Sequence, residues 1–351
     1  MSFGVSDCTS RGPRALLWLL VGVLSSCADF SGTKYPIVDS GYARVPGTLS
    51  KSLYWIDNRR VLFHGSDEKP DLPGAKQPEP KHFPLFVWDT GENLVTPYAY
   101  KGSVRAFCLN DGYIRYLIER DDRGYVRRGK LGEEREEIRQ PESDNPDLVV
   151  RVNPFTCREY REVDRPQTET LSFSPLRDEH GYWGFNYVSR DSDKPMLFLP
   201  PGAKQPIALP IEAQEARRIE YSVYADAYVV SRLAGLASLR DRPTRVWLLH
   251  PTGRVDTIQI PKGPWTGYDA RYLPSKAGLV MASRGLSAGS GPGVAGTYLV
   301  NGDRVEKILA GLVEDVDVSP DGCRVAVSVD PYTSQTRRSR IKMIDVCKTG
   351  G

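Results

Sequence analysis

Apolar and polar residues alternate on both sides of a tight turn in residues 316–329, VDVSPDGCRVAVSV. An alternation with a period of two places the apolar side chains on one face of a β-strand, and Pro-Asp-Gly between the runs is a strong turn signal. The stretch therefore predicts a β-hairpin. A further apolar run, residues 341–346, follows after a polar loop and predicts a third strand.

The same pattern recurs along the chain in weaker form. Each copy is followed by two more apolar runs around a turn that contains glycine, so that one unit comprises four strands. The first pairs of runs occupy residues 53–63, 104–118, 171–188, 219–230, 270–282 and 316–329. The second pairs occupy residues 85–98, 126–138, 196–211, 246–260 and 297–309. No long segment shows the helical period, and we predict an all-β chain.

The spacing of these units indicates the architecture. The glycines of the second turns lie 41, 70, 51 and 49 residues apart, and four-stranded units repeated at such intervals are typical of a β-propeller. The longest gap contains an extra apolar hairpin, residues 148–163, which is either an insertion in the second blade or part of a degenerate seventh blade. We predict a single propeller over residues 37–351, with six four-stranded blades preferred and seven as the alternative.

The last unit has only three recognisable strands. An additional apolar run within residues 37–45 lies outside the first unit and has no other assignment. We expect this run to supply the missing outer strand of the last blade, because an exposed strand edge is a liability that closure removes.

Composition narrows the function without identifying it. Hydrophobic residues make up 40% and charged residues 26% of the chain, as in ordinary globular proteins. The net charge of +3 gives no sign of nucleic-acid binding. The four histidines are scattered, which argues against a metal site built on imidazole. We therefore expect no nucleic-acid partner, no metal and no cofactor.

A short apolar run lies behind positive charge near the start of the chain. Arg11 and Arg14 precede residues 15–24, ALLWLLVGVL, and a stretch of small residues that ends in Cys27 follows. This order is typical of a signal peptide, whose apolar core is too short to be a stable membrane anchor.

Residues 24–27, Leu-Ser-Ser-Cys, resemble the lipobox of bacterial lipoproteins. The resemblance implies a signal peptide over residues 1–26, lipidation of Cys27 and a tether over residues 27–36. In that family an aspartate after the cysteine directs the protein to the inner membrane. Here Ala28 follows, which favours the outer membrane. The alternative is an ordinary cleaved secretion signal with an incidental cysteine.

Export would place the remaining cysteines in an oxidising compartment. Cys108, Cys157, Cys323 and Cys347 allow three disulfide connectivities. We favour Cys323 with Cys347, because both lie in the last unit, and this leaves Cys108 with Cys157.

The turn at residues 319–322, Ser-Pro-Asp-Gly, and the strands around it resemble the WD40-like repeats of TolB-type propellers. The resemblance is strong only in this last unit. Ser-Pro remains at residues 174–175 without the aspartate and glycine, and Trp-Asp at residues 88–89 has no glycine-histidine partner before it. The resemblance of the last unit to these repeats implies the propeller fold.

In a propeller, the loops between the second and third strands of the blades share one face. In this chain those loops are long and varied, and repeat proteins usually bind at such a face. Arginine recurs where the second strand ends and the loop begins, and three more arginines lie in the last loop. These residues are Arg120, Arg190, Arg232, Arg284, Arg337, Arg338 and Arg340.

Equivalent positions in a propeller are related by rotation about its axis, so we expect the arginines to form an arc. Guanidinium groups suit bidentate contacts with carboxylates and phosphates. We interpret the arc as a docking surface for an acidic partner, either an envelope protein or an anionic glycan. The alternative is a structural rim in which nearby carboxylates neutralise the arginines. Those carboxylates are Asp121, Asp122, Asp191, Asp241 and Asp330.

We therefore expect a lipid-anchored protein on the periplasmic side of the cell envelope that acts by binding. The alternative function is a propeller enzyme, a hydrolase or lyase of envelope or extracellular polysaccharide. Such an enzyme needs an acid/base pair near the central axis. The sequence shows no phosphate-binding loop and no nucleophile elbow, and it identifies no catalytic residue.

Overall fold

The computed structural model describes residues 34–44, 51–66, 84–98, 103–121, 123–139, 150–152, 157, 159–161, 167–168, 171–175, 182–186, 195–212, 216–232, 244–261, 263, 270–283, 295–330 and 339–348. The regular elements of this part of the chain are all β-strands. Within the same residues, no helix is long and apolar enough to cross a membrane. The predictions for Cys27 and the tether fall largely outside the described residues.

The strands, in chain order, are β1 (Ile37–Arg44), β2 (Leu53–Trp55), β3 (Arg60–Ser66), β4 (Leu85–Asp89), β5 (Leu94–Pro97), β6 (Ser103–Asn110), β7 (Tyr113–Arg120), β8 (Arg123–Lys130), β9 (Arg135–Ile138), β10 (Val150–Val152), β11 (Glu159–Arg161), β12 (Gln167–Thr168), β13 (Leu171–Pro175), β14 (Tyr182–Asn186), β15 (Pro195–Leu199), β16 (Ile207–Glu212), β17 (Ala216–Ser222), β18 (Ala227–Arg232), β19 (Thr244–Leu249), β20 (Val255–Ile260), β21 (Arg271–Ser275), β22 (Gly278–Ser283), β23 (Gly296–Asn301), β24 (Arg304–Ala310), β25 (Leu312–Val318), β26 (Arg324–Asp330) and β27 (Arg340–Asp345).

Consecutive strands pair with each other to form antiparallel sheets. Strands β6–β9, β17–β20 and β21–β24 form four-stranded sheets, and β13–β16 carry β12 as a fifth strand at one edge. Strands β2–β5 and β25–β27 form two further groups of the same kind. A repeated antiparallel sheet of four strands is the blade of a β-propeller, so the predicted all-β propeller fold is confirmed.

The pattern of valines around the last turn explains why this segment folds as a hairpin. Strands β25 and β26 pair with Val316 opposite Val327 and Val318 opposite Val325, and all four side chains are buried. Gly322 closes the turn at a φ of +74°, a left-handed backbone conformation that glycine adopts without strain. Its N–H donates to the Ser319 carbonyl at 2.8 Å.

Strand β1 lies where the sequence predicted the fourth strand of the last blade. It pairs antiparallel with β27, with Ile37 opposite Ile344 and Val38 opposite Met343. Its other end pairs with β3 of the first group, so that the first and last groups are parts of one eight-stranded sheet. The pairing of β1 is thus confirmed, and the number of blades stays a prediction.

Apolar side chains fill the spaces between neighbouring sheets. One buried cluster joins Phe63 and Trp88 of the first group to Ala326 and Ile341 of the last. A second cluster joins the first group to the β6–β9 sheet, and a third joins β15 and β16 to the β17–β20 sheet. The largest cluster joins the β17–β20 and β21–β24 sheets to β25–β27. Burial between sheets therefore supports the arrangement, because each blade covers an apolar face of the next.

Two disulfides match the pairs that the sequence favours. Cys323 in the β25–β26 turn is bonded to Cys347, which follows β27. Cys108 on β6 is bonded to Cys157, which lies between β10 and β11. The predicted extra hairpin is present, because β10 and β11 pair with each other in a separate two-stranded sheet.

Candidate functional site

A cavity of about 700 Å³ lies where the first strands of five groups converge. Its lining comes from β2, β6, β17, β21 and β25 and from residues next to them. The first strand of each blade faces the propeller axis, so we refer to this space as the axial cavity. Its volume falls within the range of small-molecule sites, roughly 300–1,000 Å³.

The axial cavity reaches solvent at the face of the tight turns. Four lining residues come from the β2–β3, β6–β7, β17–β18 and β25–β26 turns: Asp57, Asp111, Val223 and Pro320. Of these, Asp57 is about half-exposed, and Asp111 and Val223 are exposed. In an antiparallel blade these turns lie at the end opposite the loops between the second and third strands. The cavity thus borders the face opposite the long-loop face on which the sequence analysis placed the working surface.

One ion pair stands in the wall of the cavity. The Lys51 Nζ lies 3.0 Å from the Asp317 Oδ1, and the Asp317 Oδ2 accepts the Trp55 N–H at 3.0 Å. The Lys51 ammonium also lies 4.6 Å from the centroid of the Tyr54 ring, a cation–π contact. Burial opposes the charge of Lys51, but Asp317 and the other acidic groups nearby together outweigh it and raise the pKa of Lys51. Lys51 is therefore charged at neutral pH.

A second charged group lies behind the first. The Asp315 side chain is completely buried and pairs with the Arg271 guanidinium. Asp315 also accepts hydrogen bonds from the Ser52 N–H, from the Ser52 hydroxyl at 3.0 Å and from the Leu53 N–H at 3.1 Å. The Arg271 Nε lies 3.5 Å from the Glu220 Oε1. The Asp315 carboxylate therefore links β25, the inner strand of the last group, to β2 and to β21.

The electrostatics of these groups follow from their burial. Burial opposes the charge of Arg271, but Asp315 and Glu220 raise the pKa of the guanidinium. Burial raises the pKa of the Asp317 carboxyl, against the lowering effect of Lys51. Because each cation has a carboxylate beside it, the wall is a fixed set of hydrogen-bonding groups rather than an open anion site.

Aromatic side chains supply the apolar part of the lining. Tyr54, Trp55, Phe107 and Tyr221 face the axial cavity together with the charged residues. The Trp55 indole N–H donates to the Asp317 carbonyl at 3.1 Å, which fixes the orientation of that ring. A cavity with apolar walls and a few convergent polar groups is the usual form of a small-ligand site.

The predicted arginine arc is only partly described. Arg120 at the end of β7 pairs with Glu136 at 2.7 Å, and its guanidinium lies 4.4 Å from the Tyr125 ring centroid. Arg340 at the start of β27 pairs with Asp39 of β1 at 2.9 Å. The carboxylates that hold these two arginines are therefore not those that the sequence analysis named.

The side chains of the other members of the arc lie outside the described part of the structure. The backbone of Arg232 ends β18. The rest of the arc, Arg190, Arg284, Arg337 and Arg338, lies outside the described residues, as does Cys27. The arc as a docking surface stays a prediction. Where the structure is described, no group of three or more His, Cys, Asp or Glu side chains is placed to hold a metal ion.

The axial cavity was not predicted from the sequence. Its charged residues lie far apart in the chain, and the only local signal is the pair Asp315 and Asp317, which alternate with buried valines on an inner strand. Two carboxylates on one face of a strand whose other face is apolar indicate that this face meets polar groups. The pattern does not say which sheets supply them.

No family model matches the chain, and no curated protein matches it significantly. Among solved structures, an oligogalacturonate lyase in complex with manganese is similar, with 12% identity, a TM-score of 0.52 and coverage of 90% of this chain and 94% of that chain. TolB from Acinetobacter baumannii has 13% identity, a TM-score of 0.35 and coverage of 76% and 60%. A gluconolactonase from Xanthomonas campestris has 10% identity, a TM-score of 0.39 and coverage of 89% of both chains. The likeness to the lyase supports the propeller fold alone, and the two weaker ones carry no argument.

Proposed function

We propose that this protein is a lipid-anchored β-propeller of the cell envelope that binds a small polar ligand or the end of a glycan in its axial cavity. The observation that carries the proposal is the cavity itself, about 700 Å³ with charged and aromatic walls. Rigid strands from five groups hold those walls, so little ordering is needed when a ligand enters.

The fixed polar groups favour binding with defined orientation. Asp317 is held by Lys51 and by the Trp55 N–H, and Glu220 lies beside Arg271. Side chains that are already anchored lose little rotamer freedom on contact with a ligand. A ligand with several hydroxyl or amino groups can bond to them while its apolar surface packs against the aromatic rings.

A variant that fills the cavity tests this proposal. Val223 lines the cavity and is 54% exposed, so Val223→Trp adds bulk at the mouth with little effect on the core. Ile138→Trp is the matched control, because Ile138 is 63% exposed and does not line the cavity. We expect binding of envelope glycan fragments, measured by calorimetry, to weaken about tenfold or more in Val223→Trp and to stay unchanged in the control. Equal binding by both variants would place the ligand elsewhere.

The envelope location rests on two observations of different kinds. Residues 24–27 resemble a lipobox, and the two disulfides are typical of proteins from oxidising compartments. Replacing Cys27 by Ser should abolish fatty-acid labelling and release the protein from the membrane fraction. Cys8→Ser should leave both unchanged. Labelling that persists in Cys27→Ser would refute the anchor.

An enzyme that acts on envelope or extracellular polysaccharide is the second candidate. Three observations favour it: Glu220 and Asp317 line one cavity, burial raises the pKa of Asp317, and Lys51 stands beside it. Carboxyl groups of shifted pKa in a cleft are candidates for acid/base chemistry. Incubation with polysaccharides distinguishes the candidates, because an enzyme releases reducing ends or unsaturated products and a binding protein returns the glycan intact.

A further inference from the structure

The axial cavity has an excess of carboxylates in its lining. Four acidic residues line it, Asp57, Asp111, Glu220 and Asp317, against the two basic residues Lys51 and Arg271. Asp57 is paired with Arg60 at the rim of the cavity, but Arg271 is shared by Glu220 and the buried Asp315, so an excess of carboxylates remains. A low-dielectric cleft lined by an excess of one charge focuses the potential and attracts ligands of the opposite sign.

Both cations of the lining are already engaged. The Lys51 Nζ lies 3.0 Å from Asp317, and Arg271 contacts Asp315 and, at 3.5 Å, Glu220. An anionic ligand would have to displace a buried carboxylate from its partner, and uncompensated buried charges are costly. The cavity is therefore poorly suited to an anion.

The aromatic wall is suited to a cation. The electron-rich faces of Tyr and Trp rings attract ammonium groups, most strongly where water is excluded. The protein shows this use of the wall itself, since the Lys51 ammonium lies 4.6 Å from the Tyr54 ring centroid. Trp55, Phe107 and Tyr221 extend the same lining.

We propose that the axial cavity selects small ligands that carry a primary ammonium group, with Glu220 and Asp317 as the deep acceptors. The exposed Asp111 at the mouth attracts the ligand as it enters. This inference rests on the proposed function and specifies the ligand chemistry of the same cavity. The ammonium group can belong to an amino sugar or to a linear polyamine, and the experiment separates these sources.

Calorimetric titration with a pair of matched saccharides tests the inference. A glucosamine trisaccharide and its fully N-acetylated counterpart share the same rings and differ in charge. We expect the free amine to bind about tenfold or more tightly than the acetylated form and to lose affinity as ionic strength rises. Spermidine is the third probe: binding as tight as that of the amine shows that the ammonium group suffices, and weaker binding shows that the sugar rings contribute.

Charge-removing variants locate the effect. Glu220→Gln should weaken binding of the free amine about tenfold and leave the acetylated form unchanged. Asp111→Asn, at an exposed turn, gives a second test that does not disturb the Arg271 contacts. Asp303→Asn is the control, because Asp303 is exposed on the β23–β24 turn and does not line the cavity. Thermal melts confirm that each variant is folded.

The outcomes separate this inference from the proposed function. If the acetylated saccharide binds as tightly as the amine and Val223→Trp blocks both, the cavity binds glycans without charge selection and the inference is overturned. If the amine binds Val223→Trp as well as wild type, it attaches outside the cavity, which also overturns the inference. The proposed function fails only if Val223→Trp leaves the binding of every ligand unchanged.

Discussion

Replacing Asp315 by Ala is expected to lower the free energy of unfolding by about 3–5 kcal/mol, the usual cost of removing one partner of a buried ion pair. Asp315 is fully buried, and it accepts hydrogen bonds from Ser52 and Leu53 as well as pairing with Arg271. Alanine would leave these donors without their acceptor and would deprive a buried guanidinium of one of its carboxylates, while Glu220 stays 3.5 Å away.

The expected loss is large against the total stability. Domains are commonly stable by about 5–15 kcal/mol, so the Asp315→Ala variant should unfold at a much lower urea concentration. Asp315→Asn keeps the shape and one acceptor oxygen, and we expect it to lose less. The double variant Asp315→Leu with Arg271→Met removes both charges, so its loss should be smaller than the sum of the two single losses.

Urea unfolding followed by tryptophan fluorescence measures these values, with the slope of the transition as a check on two-state behaviour. Asp303→Ala is the control and should change stability by no more than about 0.5 kcal/mol, because the side chain is exposed. A loss of less than about 1 kcal/mol in Asp315→Ala would show that this carboxylate does not hold the inner strands together.

Two further predictions concern the last blade. Gly322→Ala should lose more stability than Gly112→Ala in thermal unfolding. Both glycines have a positive φ, but the surroundings of an added Cβ differ: it would lie 2.5 Å from the Tyr224 ring at Gly322 and would meet nothing within 4 Å at Gly112. The φ costs about 1–2 kcal/mol at each position, and the clash adds about 1–3 kcal/mol at Gly322, so equal losses would contradict the packing. Replacing Cys323 and Cys347 together by Ala should cost about 3 kcal/mol, since the disulfide closes a loop with a sequence separation of 24. A reducing agent should remove much of the difference in denaturant unfolding, and equal stability under oxidising conditions would show that this bond contributes nothing.

Alternation of apolar residues predicted the hairpins well because it reports a local property. Which of the two neighbouring spaces a side chain enters depends on its parity in the strand, because Val325 and Val327 lie in one buried cluster and Ala326 between them lies in another. The pairing of β1 with β27 was predicted for a different reason. An unassigned apolar run and an incomplete last unit fit each other, and closure removes an exposed edge.

Side-chain partners across the sheet were not predictable in the same way. From the sequence alone, the expected partners of the arginines are carboxylates that lie near them in the chain. Arg120 instead meets Glu136, which belongs to β9, two strands away in the sheet. Arg340 meets Asp39, which is about 300 residues away in the chain and adjacent only because β1 pairs with β27. Long side chains reach across strands, so sequence distance is a poor guide to ion pairing in a sheet.

The charge of a ligand follows from the net field at the site rather than from a count of residues with one sign. The two members of the arc whose side chains are described, Arg120 and Arg340, have carboxylates at 2.7 Å and 2.9 Å, so their fields are largely cancelled at a distance. In the axial cavity the cations Lys51 and Arg271 are paired in the same way, but further carboxylates remain in the lining. An anionic partner inferred from the arginines and an amine inferred from the cavity are therefore separate hypotheses about opposite faces. Because the second depends on surplus charge, binding of the amine should weaken as ionic strength rises.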